Sequence, residues 1–189
     1  SDDVGAGHIA IGGNALVSQN FASVNNEFEA NISIGNKSSH NNTTGNMNVV
    51  IGTAAKYTDD TGNQTTAIGH QAMYSQNMAS SVTTANVGVG HKVGYYNVTG
   101  TQNTWLGYQA GAGASGESNS PNVGIGYTAL TAITTGGSNV AIGHGAGDTI
   151  TNGSQNVLVG KDAGGGSNMA SVSDNVLIGH QAGISNGAS

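Results

Sequence analysis

Apolar residues recur along this chain in an eight-residue phrase that is repeated ten times. The copies are HIAIGGNA, NISIGNKS, NVVIGTAA, TTAIGHQA, NVGVGHKV, NTWLGYQA, NVGIGYTA, NVAIGHGA, NVLVGKDA and NVLIGHQA. Their shared glycines, from Gly12 to Gly179, follow one another at 23, 17, 17, 21, 17, 19, 17, 17 and 19 residues. The basic period is therefore 17, and four repeats carry insertions. Three residues before each glycine stands a β-branched residue in every copy, from Ile9 to Val176. One residue before it stands only Ile, Val or Leu. Two such positions flanking a third predict a short pleated strand, with the two flanking columns on one face. Glycine inside every phrase and the lack of a 3.6-residue period argue against helices.

The predicted architecture is all-β: a parallel β-solenoid of ten coils of about 17 residues, forming one repeat domain over residues 1–189. At about 4.8 Å per coil the rod would be roughly 45–50 Å long. The two flanking columns, Val140 and Ile142 in one coil, are read as facing inward. The column between them then points out. It reads Ala10, Ser33, Val50, Ala67, Gly88, Trp105, Gly124, Ala141, Leu158 and Leu177. A strip so poor in polar groups predicts contact with another subunit. Three residues after the glycine the column is almost all alanine, which implies a narrow interior crossed by a second strand. Asparagine opens eight of the ten phrases and is expected to form a ladder between coils. Gly45, Gly62, Gly100, Gly136 and Gly153 stand three residues before phrases reached by a 17-residue step, marking a tight turn of the basic coil.

Composition narrows the function. Of 189 residues 32 are glycine, 7% are charged, and the net charge is −6. The four lysines are scattered and arginine is absent, so no nucleic-acid-binding patch is expected. No apolar run is long enough to span a bilayer. Cysteine is absent, which removes any disulfide framework. The chain begins inside the repeat pattern, and a fragment of something longer is expected.

The phrase NVAIGHGAG, followed by TNGSQN, resembles the repeats of trimeric phage tail fibres. Those fibres carry runs of the form N-T-A-I-G-Y-Q-A-L-Y-S-N-T-T-G, and Gly69-His70-Gln71-Ala72-Met73-Tyr74-Ser75 follows it closely. The pattern is also similar to the head repeats of trimeric autotransporter adhesins, with their motif N-S-V-A-I-G and shorter repeats. The resemblance covers essentially the whole chain. It implies a left-handed β-roll, three chains around an axis, and a place in a virion tail fibre that attaches to a bacterial surface glycan or protein. The alternative it implies is a bacterial cell-surface adhesin head.

Candidate contacts follow from the columns and the insertions. Tyr57, Tyr74 and Tyr95 fall at one position in three successive coils, as a stacked ladder or a sugar platform. Three insertions share a phrase: QNFASV, QNMASSV and SNMASV. Their Phe21, Met78 and Met169 are read as plugs on the roll or on a neighbouring chain, or as a binding protrusion. Trp105 is expected at the subunit contact. Four of six histidines lie just after the glycine, but no HxH pair accompanies them, so no metal site is predicted. Carboxylates at Asp2-Asp3, Glu27/Glu29 and Asp59-Asp60 do not recur with the period and read as solvated turns. No cofactor and no catalytic constellation are expected, and the chain is read as a non-enzyme.

Overall fold

The computed structural model describes residues 7–20, 30–80, 82–116, 118–166 and 169–184. Each phrase forms one short strand: β1 (Ile9–Ile11), β2 (Ile32–Ile34), β3 (Val49–Ile51), β4 (Thr66–Ile68), β5 (Val87–Val89), β6 (Thr104–Leu106), β7 (Asn122–Ile125), β8 (Asn139–Ile142), β9 (Val157–Val159) and β10 (Val176–Ile178). They pair in chain order in one parallel ten-stranded sheet. Equivalent residues lie side by side throughout, as in Val123 with Val140 and Val140 with Val157. The fold is a parallel β-solenoid, and the insertions leave this register undisturbed.

The shared glycine holds the coils together at close quarters. Gly52 has φ of 136°, and a Cβ there would lie 2.3 Å from the carbonyl oxygen of Gly69. Every described coil from Gly12 to Gly160 stacks glycine on glycine in this way. Both backbone angle and space exclude a side chain.

The asparagine ladder forms as the repeat predicts. Asn139 donates from Nδ2 to the carbonyl of Gly153 at 2.9 Å, and its Oδ1 accepts the backbone N–H of Asn156 at 3.1 Å. The same pair of bonds recurs at Asn31, Asn48 and Asn122. The turn glycines thus supply the ladder's acceptors. A Cβ at Gly136 would lie 2.2 Å from the oxygen of Gly153, so this column too must stay bare.

The structure overturns the assignment of the two strand faces. The middle column is the buried one: Val50, Ala67, Trp105, Ala141 and Leu158 are fully enclosed. The flanking columns face out, and Ile142 is 38% exposed. The reason is the width of the coil. The interior is so thin that it takes mostly alanine, glycine and serine in the middle column, against the alanines at positions 55, 72, 110, 129, 146 and 163. Larger residues enter only where glycine makes room. A Cβ at Gly111 or Gly124 would lie 2.4 or 2.6 Å from the Trp105 ring, and one at Gly147 would lie 2.7 Å from Leu158.

The expected second strand gives way to stacked turns. Residues two and four after the glycine take positive φ, as at Ala54 (54°) and Lys56 (45°), or Thr128 (53°) and Leu130 (52°). An extended strand cannot contain such residues. Hydrogen bonds to both neighbouring coils offset the strain: Ala54 N–H donates to Asn36 and Lys56 N–H to Ala72, each at 2.9 Å.

Candidate functional site

The outer face of the sheet is the most unusual surface of the molecule. It is built from the first and third strand columns, twenty residues of which only Thr66 and Thr104 are polar. Ile9, Ile11, Val87, Leu106, Ile142, Val176 and Ile178 are all exposed on it. The apolar stripe runs the length of the sheet without a charged interruption. Antiparallel or solenoid faces that meet water are normally polar, and apolar patches of this extent mark interaction surfaces. A shallow cleft opens on the same face, lined by Gln102, Pro121, Asn122, Val123, Ser138, Asn139 and Val140.

A ladder of rings borders the stripe. His70, His91, Tyr108, Tyr127 and His144 directly follow the glycines, and their rings stack at 5.0–5.2 Å with planes within 14°. In the sequence this column stood out only for its histidines. The coil spacing makes it one continuous stack, which the shared register could have revealed. Among the described residues no group of three or more metal-ligating side chains converges. Next to the ladder, His144 Nδ1 and Lys161 Nζ each lie 3.6 Å from the Asp162 carboxylate. Burial, with the charge of Asp162, pushes the Asp148 carboxyl above its ordinary value, and His144 partly opposes this.

Tyr57, Tyr74 and Tyr95 form a second ladder, joined by His40. Successive tyrosine rings are 5.1–5.2 Å apart and within 7° of parallel. Tyr96 meets Tyr95 edge-on at 4.6 Å, and Lys92 Nζ lies 5.5 Å from the Tyr95 ring. Burial, then Tyr74 and Tyr96, raises the Tyr95 hydroxyl above its usual range. A sugar stacks on an aromatic face, and both faces of Tyr57 and Tyr74 are covered by their neighbours. The geometry favours stacking that stiffens the rod.

Of three other candidate contacts, Trp105 is placed differently from the expectation, and Met78 and Met169 take the first alternative, plugs on their own roll. Trp105 is wholly inside its own roll, so it is not a subunit contact. Met78 and Met169 are 4% and 8% exposed, and Met169 belongs to the hydrophobic core. They plug their own chain, which leaves them no part in a protrusion. Phe21 lies outside the described residues, as do Asp2, Asp3, Glu27 and Glu29.

The Asp59-Asp60 pair is not a simple solvated turn. Asp59 is fully buried and takes an ion pair from Lys56 Nζ at 3.0 Å, with bonds from Gly62 N–H at 3.0 Å and Gln76 Nε2 at 2.7 Å. Burial alone would raise its carboxyl, but Lys56 and these bonds bring it below the ordinary aspartate value. Burial pushes the Lys56 amine down, against a smaller opposing effect of Asp59. The sequence missed this cluster because its members lie on the turn wall, whose inward positions the alternation rule does not reach. Asn97 is likewise buried, and its Oδ1 accepts the Gly100 N–H at 3.0 Å. Comparisons of the chain with protein-family models, with curated proteins and with solved structures each returned no match.

Proposed function

We propose that this chain is a structural segment of a trimeric phage tail fibre, a stiff rod contributing to attachment at a bacterial surface. The observation that carries the reading is the apolar outer sheet face. Three copies, each a left-handed roll, would turn these faces toward a common axis and cover Ile9, Leu106, Ile142 and Ile178. A second copy fits this face because it has the same axial rise, so strand layer meets strand layer along its length. The phrase-level resemblance to tail-fibre repeats supports the virion setting. Stacked rings, glycine contacts and asparagine ladders all add stiffness along the rod and leave little space for a catalytic groove.

Light scattering on purified protein tests the assembly: a trimer of about 56 kDa is expected from an 18.7 kDa chain. A stable monomer would remove the basis of the proposal. Attachment of the fluorescently labelled segment to bacterial cells then separates a receptor-binding segment from a spacer. Binding to host extracellular matrix instead would favour the adhesin-head reading.

A further inference from the structure

Lys56, Asn42 and Asp59 form a cluster inside the roll that the outer face does not use. The Lys56 Nζ atom lies 3.0 Å from Asp59 Oδ2, 3.1 Å from the Gly62 carbonyl and 3.4 Å from Asn42 Oδ1. Lys56 and Asp59 are fully enclosed, and Asn42 is 1% exposed. Nothing about the coil calls for a cation at this position. The equivalent residues in other coils are leucine, serine, methionine or glycine, as at Leu16, Ser39, Met73 and Leu130. Asn42 and Asp59 occupy the same position in adjacent coils, one period apart, and Lys56 reaches both. An amine, a carboxamide and a carboxylate are thus held together where water is excluded.

We propose that Lys56 and Asn42 join as a covalent amide crosslink between neighbouring coils, with Asp59 carrying the proton. Asp59 takes a proton from the Lys56 ammonium, which frees the lone pair on Nζ. That pair attacks Asn42 Cγ while Asp59 returns the proton to the carbonyl oxygen Oδ1. The tetrahedral centre then collapses. The C–O double bond re-forms, the Cγ–Nδ2 bond breaks, and Asp59 carries one proton from Nζ and then the proton of Oδ1 to Nδ2, which leaves as ammonium. The products are one secondary amide and one ammonium ion, so the chain is lighter by one ammonia, and Asp59 ends as the carboxylate it began as. No oxidant or cofactor is needed. The low dielectric of the interior favours this chemistry, since it weakens the hold of the amine on its proton. Asn42 Nδ2, the leaving group, is held by Gln19 Oε1 and the Gly45 carbonyl, which fixes the carboxamide in place. The bond would close residues 42–56 into a ring that ties coil to coil, and would resist peeling of the rod under load.

Intact-mass measurement of the full chain, denatured before analysis, tests this. The expected mass is lower than that of the sequence by one ammonia, and digestion should release a branched peptide joining Asn42 to Lys56. Lys56→Met and Asp59→Asn should each restore the full mass. The wild-type measurement decides the matter even if a variant does not fold. A full unmodified mass overturns the proposal. So does loss of one water through a bond to Asp59, or an ammonia loss that fragmentation places in an unbranched peptide.

Discussion

Ser33 donates a 2.7 Å hydrogen bond to Ser38 across the interior of a single coil. Ser33 is the only serine in the middle strand column, and Ser38 the only one in the column three after the glycine. The two exceptions fall in the same repeat because the two columns face each other through the thin core. Ser38 in turn donates to the Gly35 carbonyl at 3.1 Å, so Ser33 is the hydroxyl that would lack a partner alone. Ser38→Ala should therefore cost about 1–3 kcal/mol in urea unfolding, while Ser38→Ala with Ser33→Ala should recover most of it. Additive losses would mean that the hydroxyls are independent.

The two faces of the sheet predict opposite behaviour for neighbouring residues. Ile142→Asp puts a charge on the outer face and should dissociate the proposed trimer while leaving the β-sheet circular dichroism in place. Ala141→Asp puts an unpaired charge inside and should unfold the roll, a loss of several kcal/mol. Light scattering with thermal melts on both variants would check this. Unfolding by Ile142→Asp, with Ala141→Asp tolerated, would reverse the face assignment.

Trp105 fills space left by Gly94, Gly111 and Gly124. Trp105→Ala should cost about 3–5 kcal/mol through the cavity it leaves. Its Nε1–H has no hydrogen-bond partner, so Trp105→Phe should be much milder. Gly111→Ala should be severe, because its Cβ would enter the indole ring and its φ is +58°. Chemical denaturation of the three variants would rank them.

While Lys56 keeps its free amine, acid should weaken the roll through Asp59. Its carboxyl sits below the ordinary aspartate value when folded, so the unfolded chain binds the proton more readily. The stability it contributes is present above the unfolded value, near 4, and is lost as pH falls through the lower folded value. Asp59→Asn should flatten this part of the stability–pH curve. An unchanged slope below pH 4 would assign the acid sensitivity to other carboxylates.

The second insertion divides into a structural and a free part. Gln76 bonds Asp59, Thr65 and Asn86, and Met78 N–H reaches Asp59 at 3.3 Å. Met78→Ser should lower the melting temperature of the chain itself. Replacing exposed Ala79 and Ser80 by glycine should leave it unchanged. A cell-attachment assay on the second variant would show whether the exposed part takes part in binding.

The period, the strands, the glycine column and the asparagine ladder were legible in the sequence, because each is a requirement that every coil repeats at the same place. A glycine stacked on a glycine leaves no room for variation, and such constancy is what periodic reading detects. The facing of the strand was not legible. All three strand columns are apolar or small, so alternation gives two solutions and no polar face to choose between them. Only the tertiary structure chose, through the width of the coil: Ala141 fits inside and Ile142 does not. Size pairing such as Ser33 with Ser38, or Trp105 with Gly111 and Gly124, was the available signal. It is a relation between columns, and it appears only once the turn wall opposite the strand is in place. The Lys56–Asp59 cluster was hidden for the same reason. Its residues turn inward through positive φ, and a pleated-strand rule says nothing about where such side chains go.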